Sequence, residues 1–125
     1  MNNSEFKYKI EDETIIIEKC PNDILTRNLV LQLNHFYSRT GKFYLCDGIK
    51  EIGKSAFACH EFMDSIRLPN TLKKIDSLAF YECCELKEIT IPESVEYIGE
   101  YVFCNCYFLE KIVLPDSIKQ IYTKT

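Results

Sequence analysis

The chain has 125 residues, 46% hydrophobic and 27% charged, which suits one folded domain rather than a disordered tail. Its formal charge is −4 and no run of Lys or Arg stands out, so a nucleic-acid binder is not expected. No segment nears the ~18 apolar residues of a membrane span. Its start, Met1 to Glu13, lacks the apolar core of an export signal, pointing to a soluble cytosolic protein, or to a surface or secreted one if a signal has been trimmed away.

Taken in chain order, Phe6, Tyr8 and Ile10 alternate, Glu11-Asp12-Glu13 can turn, and Thr14-Ile15-Ile16-Ile17 follows. This predicts a hairpin. From Ile24 to Tyr37 the apolar residues Leu25, Leu29, Leu33 and Phe36 recur at helical spacing. Asn22 or Asp23 is the expected N-cap, and Gly41 the expected stop. His35, inside this helix, is expected at a surface or edge.

After residue 41 the character of the chain changes. Three stretches, 52–74, 75–97 and 98–120, align without a gap at a step of 23 residues, and Ile121 opens a fourth copy, residues 121–125. A half copy, 42–51, precedes them: Phe43-Tyr44-Leu45 matches the strand positions, with Cys46 where the later copies have proline. A fixed step of this size is the mark of a solenoid, whose coils each bury their apolar side only by stacking on the next. Residues 1–41 are then an atypical N-terminal capping region of hairpin plus helix, and 42–125 the repeats.

Within one coil the pairs Ile66 and Leu68, Ile89 and Ile91, and Ile112 and Leu114 alternate as a short strand does. Pro69, Pro92 and Pro115 follow, and proline, lacking an amide hydrogen, ends the ladder. Asn70-Thr71, Glu93-Ser94 and Asp116-Ser117 suit a turn. The stretch holding Ala56-Phe57, Ala79-Phe80 or Val102-Phe103 reads as a single helical or 3-10 turn. Stacking at the strand spacing of about 4.8 Å would place Phe57, Phe80 and Phe103 in one file and Ile52, Ile75 and Ile98 in another.

The third copy carries Ile98-Gly99, Phe103, Cys106, Leu109, Ile112, Leu114-Pro115 and Ser117-Ile118. This pattern, over residues 42–121, resembles the BspA-like leucine-rich repeats. The resemblance implies an α/β repeat solenoid: a right-handed arc with short parallel strands on its concave face and short helical or 3-10 turns opposite. It also implies a role in protein binding or adhesion, often on bacterial or protist surfaces.

Seven cysteines, an odd number, without an export signal argue for free thiols. Cys83 and Cys106 fall at one coil position, with His60 at the same place in the first copy. Such a file could offer Zn²⁺ its preferred donors, but ligands on a straight column do not surround an ion, and packing as small apolar groups is the simpler reading. A bond between Cys83 and Cys106 is within reach but should not persist in a reducing cytosol. Cys59 and His60 are neighbours whose side chains diverge, which disfavours a nucleophile pair. Glu11-Asp12-Glu13, Glu82 and Glu85 lie where solvated carboxylates are ordinary.

The strand positions that point away from the core form two columns, Lys42, Ser65, Glu88, Lys111 and Tyr44, Arg67, Thr90, Val113. They are the candidate partner-binding residues, with Tyr44 and Arg67 the types that most often anchor interfaces; an ion pair of Glu88 with Lys111 is also expected here. The unfinished last coil would leave Ile112, Leu114, Ile118, Ile121 and Tyr122 as an apolar end open to end-to-end self-association. The sequence therefore reads as a non-enzymatic protein-interaction module with no cofactor, binding an unidentified protein rather than nucleic acid or membrane. A fragment of a surface adhesin and a thiol-based metal or redox module are the alternatives.

Overall fold

The computed structural model describes residues 5–37, 41–116 and 118. The chain winds as a parallel-strand solenoid of about four turns with little helix. Strand β1 (Lys7–Glu11) and β2 (Thr14–Lys19) form the antiparallel hairpin, reversed at Asp12 and Glu13, whose φ values are 49° and 62°. A 3-10 turn at Pro21–Asp23 leads into the short strand β3 (Ile24–Leu25), and helix α1 (Arg27–Tyr37) follows.

The helix start differs from expectation. Asn22 and Asp23 lie in the preceding turn with φ of 56° and 62°, so neither can cap. Thr26 does so instead, its Oγ1 accepting the Leu29 amide at 3.3 Å. The expected stop at Gly41 falls beside residues 38–40, outside the described ones. Gly41 is needed for another reason: a Cβ there would collide with the Phe62 carbonyl.

Each coil carries two strands. The inner ones are β4 (Lys42–Leu45), β6 (Ser65–Arg67), β8 (Glu88–Thr90) and β10 (Lys111–Val113). The lateral ones, β5 (Glu51–Ile52), β7 (Lys74–Ile75) and β9 (Tyr97–Ile98), continue β3 into a four-stranded parallel sheet. Leu25, Ile52, Ile75 and Ile98 are successive partners in it, each fully buried. The isoleucine file is thus the spine of a second sheet.

Opposite the inner strands, where a single helical or 3-10 turn is expected, the chain makes successive turns closed by bonds to the third residue back, as from Ala56 to Gly53 and from Ala58 to Ser55. Ser55, Leu78 and Tyr101, and then Cys59, Glu82 and Asn105, have φ between 57° and 62°. These left-handed residues break any helical run and turn alternate amides toward the neighbouring coil. Phe57 N–H bonds the Ala79 carbonyl at 2.8 Å, Cys59 the Tyr81 carbonyl at 2.7 Å, and Phe80 the Val102 carbonyl at 3.0 Å. A helix would keep such bonds within one coil; here they tie coil to coil.

Between these walls lies one continuous apolar core. The phenylalanine file is as expected: Phe57 and Phe80 stack with centroids 5.5 Å apart and rings 3° from parallel, and Phe80 and Phe103 at 5.7 Å and 6°. Phe43 closes the file edge-on to Phe57 at 5.2 Å.

Candidate protein-binding face

The inner sheet is the face the candidate residues share. Alternation sends Phe43, Leu45, Ile66 and Ile89 into the core and their neighbours outward. Lys42, Ser65, Glu88 and Lys111 form one outward column and Tyr44, Arg67, Thr90 and Val113 the other, all eight exposed. Lys42 pairs in register with Ser65 and Tyr44 with Arg67, and Glu88 with Lys111 and Thr90 with Val113. The Arg67 guanidinium lies over the Tyr44 ring, 5.2 Å from its centroid, which holds both side chains against the sheet.

Charges pair unevenly over the surface. Near the lateral sheet they pair: Lys50 with Asp23 at 4.0 Å, Lys73 with Glu96 at 3.9 Å, Lys74 with Asp76 at 3.8 Å. On the inner face Lys9 bridges Glu11 at 3.3 Å and Glu18 at 4.0 Å. Among the described residues, Lys42, Arg67, Glu88 and Lys111 make no ion pair, and the expected Glu88–Lys111 bridge does not form. The two are directly opposed, yet their ends stay beyond 4.0 Å, as solvated side chains on an exposed sheet commonly do.

The inner sheet is also divided. β1, β2, β4 and β6 form one ladder and β8 with β10 another, with no pairing between β6 and β8. On one side Asp64 and Ser65 amides bond the Gly41 carbonyl at 2.8 and 3.2 Å; on the other, Glu110 and Lys111 amides bond that of Lys87 at 2.8 and 3.3 Å. No such bond joins Lys87 or Glu88 to Asp64, and none like Ile91 to Val113 joins Leu68 to Thr90. The lateral sheet stays intact at this level, Lys74 pairing with Tyr97 and Glu51 with Lys74. A cleft of about 380 Å³ opens at the break, with Ser65, Arg67, Glu88 and Thr90 along it.

Sequence reasoning missed part of this face. β2 runs parallel to β4, pairing Thr14 with Lys42 and Ile16 with Tyr44, so the hairpin extends the inner sheet rather than only closing it. The spacing there is 28 residues instead of 23, because α1 replaces the compact turns of the later coils. The signal was present in the apolar run Thr14–Ile17, but a search at one fixed step passes over it.

The cysteines serve the core. All seven are free, with Cys20, Cys83 and Cys106 buried. The Cys83 thiol donates to the Phe57 carbonyl of the preceding coil at 3.1 Å, and Cys106 to the Phe80 carbonyl at 2.9 Å. Burial pushes Cys20 up to about 12, Cys106 up to about 11 and Cys83 higher, away from thiolate chemistry. His60 holds the equivalent place in the first copy, buried edge-on to Phe43 at 5.1 Å, and neither ring nitrogen has a hydrogen-bond partner among the described residues. Burial holds its pKa below the usual 6.5. Cys59 instead sits exposed and donates to Glu82 Oε1 at 3.5 Å, so the neighbours do diverge. Among the described residues no three His, Cys, Asp or Glu come together as metal ligands do.

At the far end Ile112, Val113 and Leu114 on and after the edge strand β10 are 37–40% exposed, while Ile118 packs against the core. Ile121 and Tyr122, expected at this end, lie outside the described residues, as does His35's side chain. No helix among the described residues is long and apolar enough to cross a membrane.

No curated protein matches the chain. Among solved structures it is similar to a leucine rich repeat protein of T. pallidum, at 25% identity and a TM-score of 0.70, over 93% of this chain and 61% of that one. It is also similar to the pneumococcal vaccine antigen PcpA, at 24% identity and a TM-score of 0.58, over 92% of this chain and 31% of that one. The chain spans about three-fifths of the length of the first, and the second likeness shows the fold alone. Residues 32–125 match the BspA type leucine rich repeat region in six copies. Proteins of this kind are generally interaction modules and typically not enzymes. The 23-residue coils, the stacked phenylalanines and this match together establish that the chain belongs to the BspA-type leucine-rich repeat family.

Proposed function

We propose that the protein is a non-enzymatic module that binds a protein partner through its concave inner sheet, with Tyr44 and Arg67 at the centre. The observation that carries this reading is the Arg67 guanidinium seated over the exposed Tyr44 ring, with no carboxylate partner among the described residues. Lys42, Glu88 and Lys111 on the same columns also make no ion pair among the described residues, which leaves their charges open to a partner. An exposed Arg packed over an exposed Tyr is the kind of centre on which interfaces are built. Lys42, Ser65, Glu88, Thr90, Lys111 and Val113 would surround it.

The test is affinity capture with wild type, a Tyr44→Ala/Arg67→Ala double variant, and a control carrying Lys54→Ala on the outer turns. The double variant should lose about ten-fold or more of a partner that wild type and control both retain. Equal recovery of every partner by all three would remove the concave face from consideration. BspA-type proteins are often secreted or displayed on surfaces, so the family does not support the expected cytosolic location; the binding reading is independent of compartment. A second reading, self-association through β10, is favoured by its exposed Ile112, Val113 and Leu114. Sedimentation giving a monomer at every concentration would dispose of it.

A further inference from the structure

The break in the inner sheet gives the concave face a specific chemistry. Its floor is apolar, from Ile66, Leu68, Ile89 and Pro92, and its lips are polar, from Ser65, Arg67, Asn70, Glu88 and Thr90. The amides of Leu68 and Glu88, which the repeat pattern would engage across the coils, have no strand partner there. A backbone amide at the rim of a cleft takes its acceptor from water or from a guest. Arg67 stands on the same lip, held by Tyr44 and without a carboxylate. Over the two outward columns the charges without an ion pair are Lys42, Arg67 and Lys111 against Glu88, and at the cleft itself Arg67 faces Glu88. The missing ladder leaves the Asp64 and Thr90 carbonyls open as well as these amides, so the choice of guest falls to the unpaired Arg67 and the cation excess of the two columns, which favour an anionic acceptor.

Resting on the concave-face reading above, we propose that the cleft between β6 and β8 receives a carboxylate side chain from an extended acidic segment of a protein partner. The carboxylate accepts from the Arg67 guanidinium, and from the amide edge that the missing ladder leaves open. Glu88 on the opposite lip repels a second negative charge nearby. The cleft therefore selects one Asp or Glu among apolar and hydroxyl neighbours rather than a long acidic run.

The experiment is a selection of displayed random 12-residue peptides on the full chain, repeated on Arg67→Ala, Arg67→Glu, Glu88→Gln and Tyr44→Ala variants whose folding is checked by circular dichroism. Clones kept by the wild type should be enriched in Asp and Glu. They should weaken roughly ten-fold on Arg67→Ala and strengthen about five-fold on Glu88→Gln, where a like charge at close range has been removed. Arg67→Glu should reverse the preference toward Lys and Arg. Clones without an acidic excess that are still lost on Tyr44→Ala would overturn the carboxylate assignment and leave the concave face standing. Clones indifferent to all four substitutions, or no enrichment at all, would overturn both.

Discussion

Replacing Phe80 by alanine tests the stacked core directly. The ring is fully buried and lies between two others, 5.5 Å from Phe57 and 5.7 Å from Phe103, both nearly parallel to it. Truncating a buried phenylalanine costs about 3–5 kcal/mol, the spread reflecting how far the cavity can collapse. Collapse is limited here, because inter-coil amide bonds of Phe57 to Ala79 and Phe80 to Val102 hold the coils at fixed spacing. The upper half of that range is therefore expected. Phe103 has one ring neighbour among the described residues and is 3% exposed, so Phe103→Ala should cost less by one aromatic contact, roughly 0.5–1.5 kcal/mol. A domain of this length has about 6–19 kcal/mol in all, so both variants can still fold while melting measurably earlier. Since the chain has no Trp, urea unfolding should be followed by circular dichroism and tyrosine emission. A Phe80→Ala loss below about 1 kcal/mol, or a larger loss for Phe103→Ala, would refute the stacked-file account.

Three further outcomes follow from the structure. Because burial lowers the pKa of His60 below 6.5, the unfolded chain takes up this proton first as pH falls. Its contribution to stability is complete above pH 6.5 and declines below that, toward the folded-state value. His60→Leu should flatten the decline relative to wild type in pH-dependent unfolding, and an unchanged profile would rule out a buried neutral imidazole. Thiol labelling at mildly alkaline pH, read by mass spectrometry, should modify exposed Cys59 while Cys20, Cys83 and Cys106 stay unreacted until urea is added. Prompt native-state labelling of Cys83 would contradict its bond to the Phe57 carbonyl. In hydrogen exchange, the amides of Leu68, Lys87 and Glu88 should exchange well ahead of Asp64 and Lys74, which bond neighbouring coils. Equal protection would mean that the sheet is continuous after all.

The repeat made much of this fold legible, because equivalent positions must stack. Phe57, Phe80 and Phe103 are where a 23-residue step puts them, and so are the outward columns from Lys42 to Lys111 and from Tyr44 to Val113. Periodicity says less about backbone choices that change no residue type. Ser55, Leu78 and Tyr101 adopt left-handed φ without being glycine, so nothing in their identity warned that the outer segment turns rather than coils. The step from β2 to β4 was hidden by the insertion of α1, and the helix begins at Arg27, capped by Thr26, because the short strand β3 takes the residues just before it. The break between β6 and β8 was invisible for a similar reason: coils of the same pattern can pair or part by small shifts in backbone position. The cysteine file was read correctly as core, but its hydrogen bond to the preceding coil needs the three-dimensional stack to appear.

The most direct measurement is site-specific photo-crosslinking in the native setting. A photoreactive amino acid would be placed at Tyr44, Thr90 or Val113 on the inner sheet, and at Lys54 or Glu100 on the outer turns. The inner positions should each yield the same partner adduct and the outer ones none. Adducts arising from Lys54 or Glu100, with Tyr44, Thr90 and Val113 silent, would contradict the assignment of the concave sheet as the binding surface.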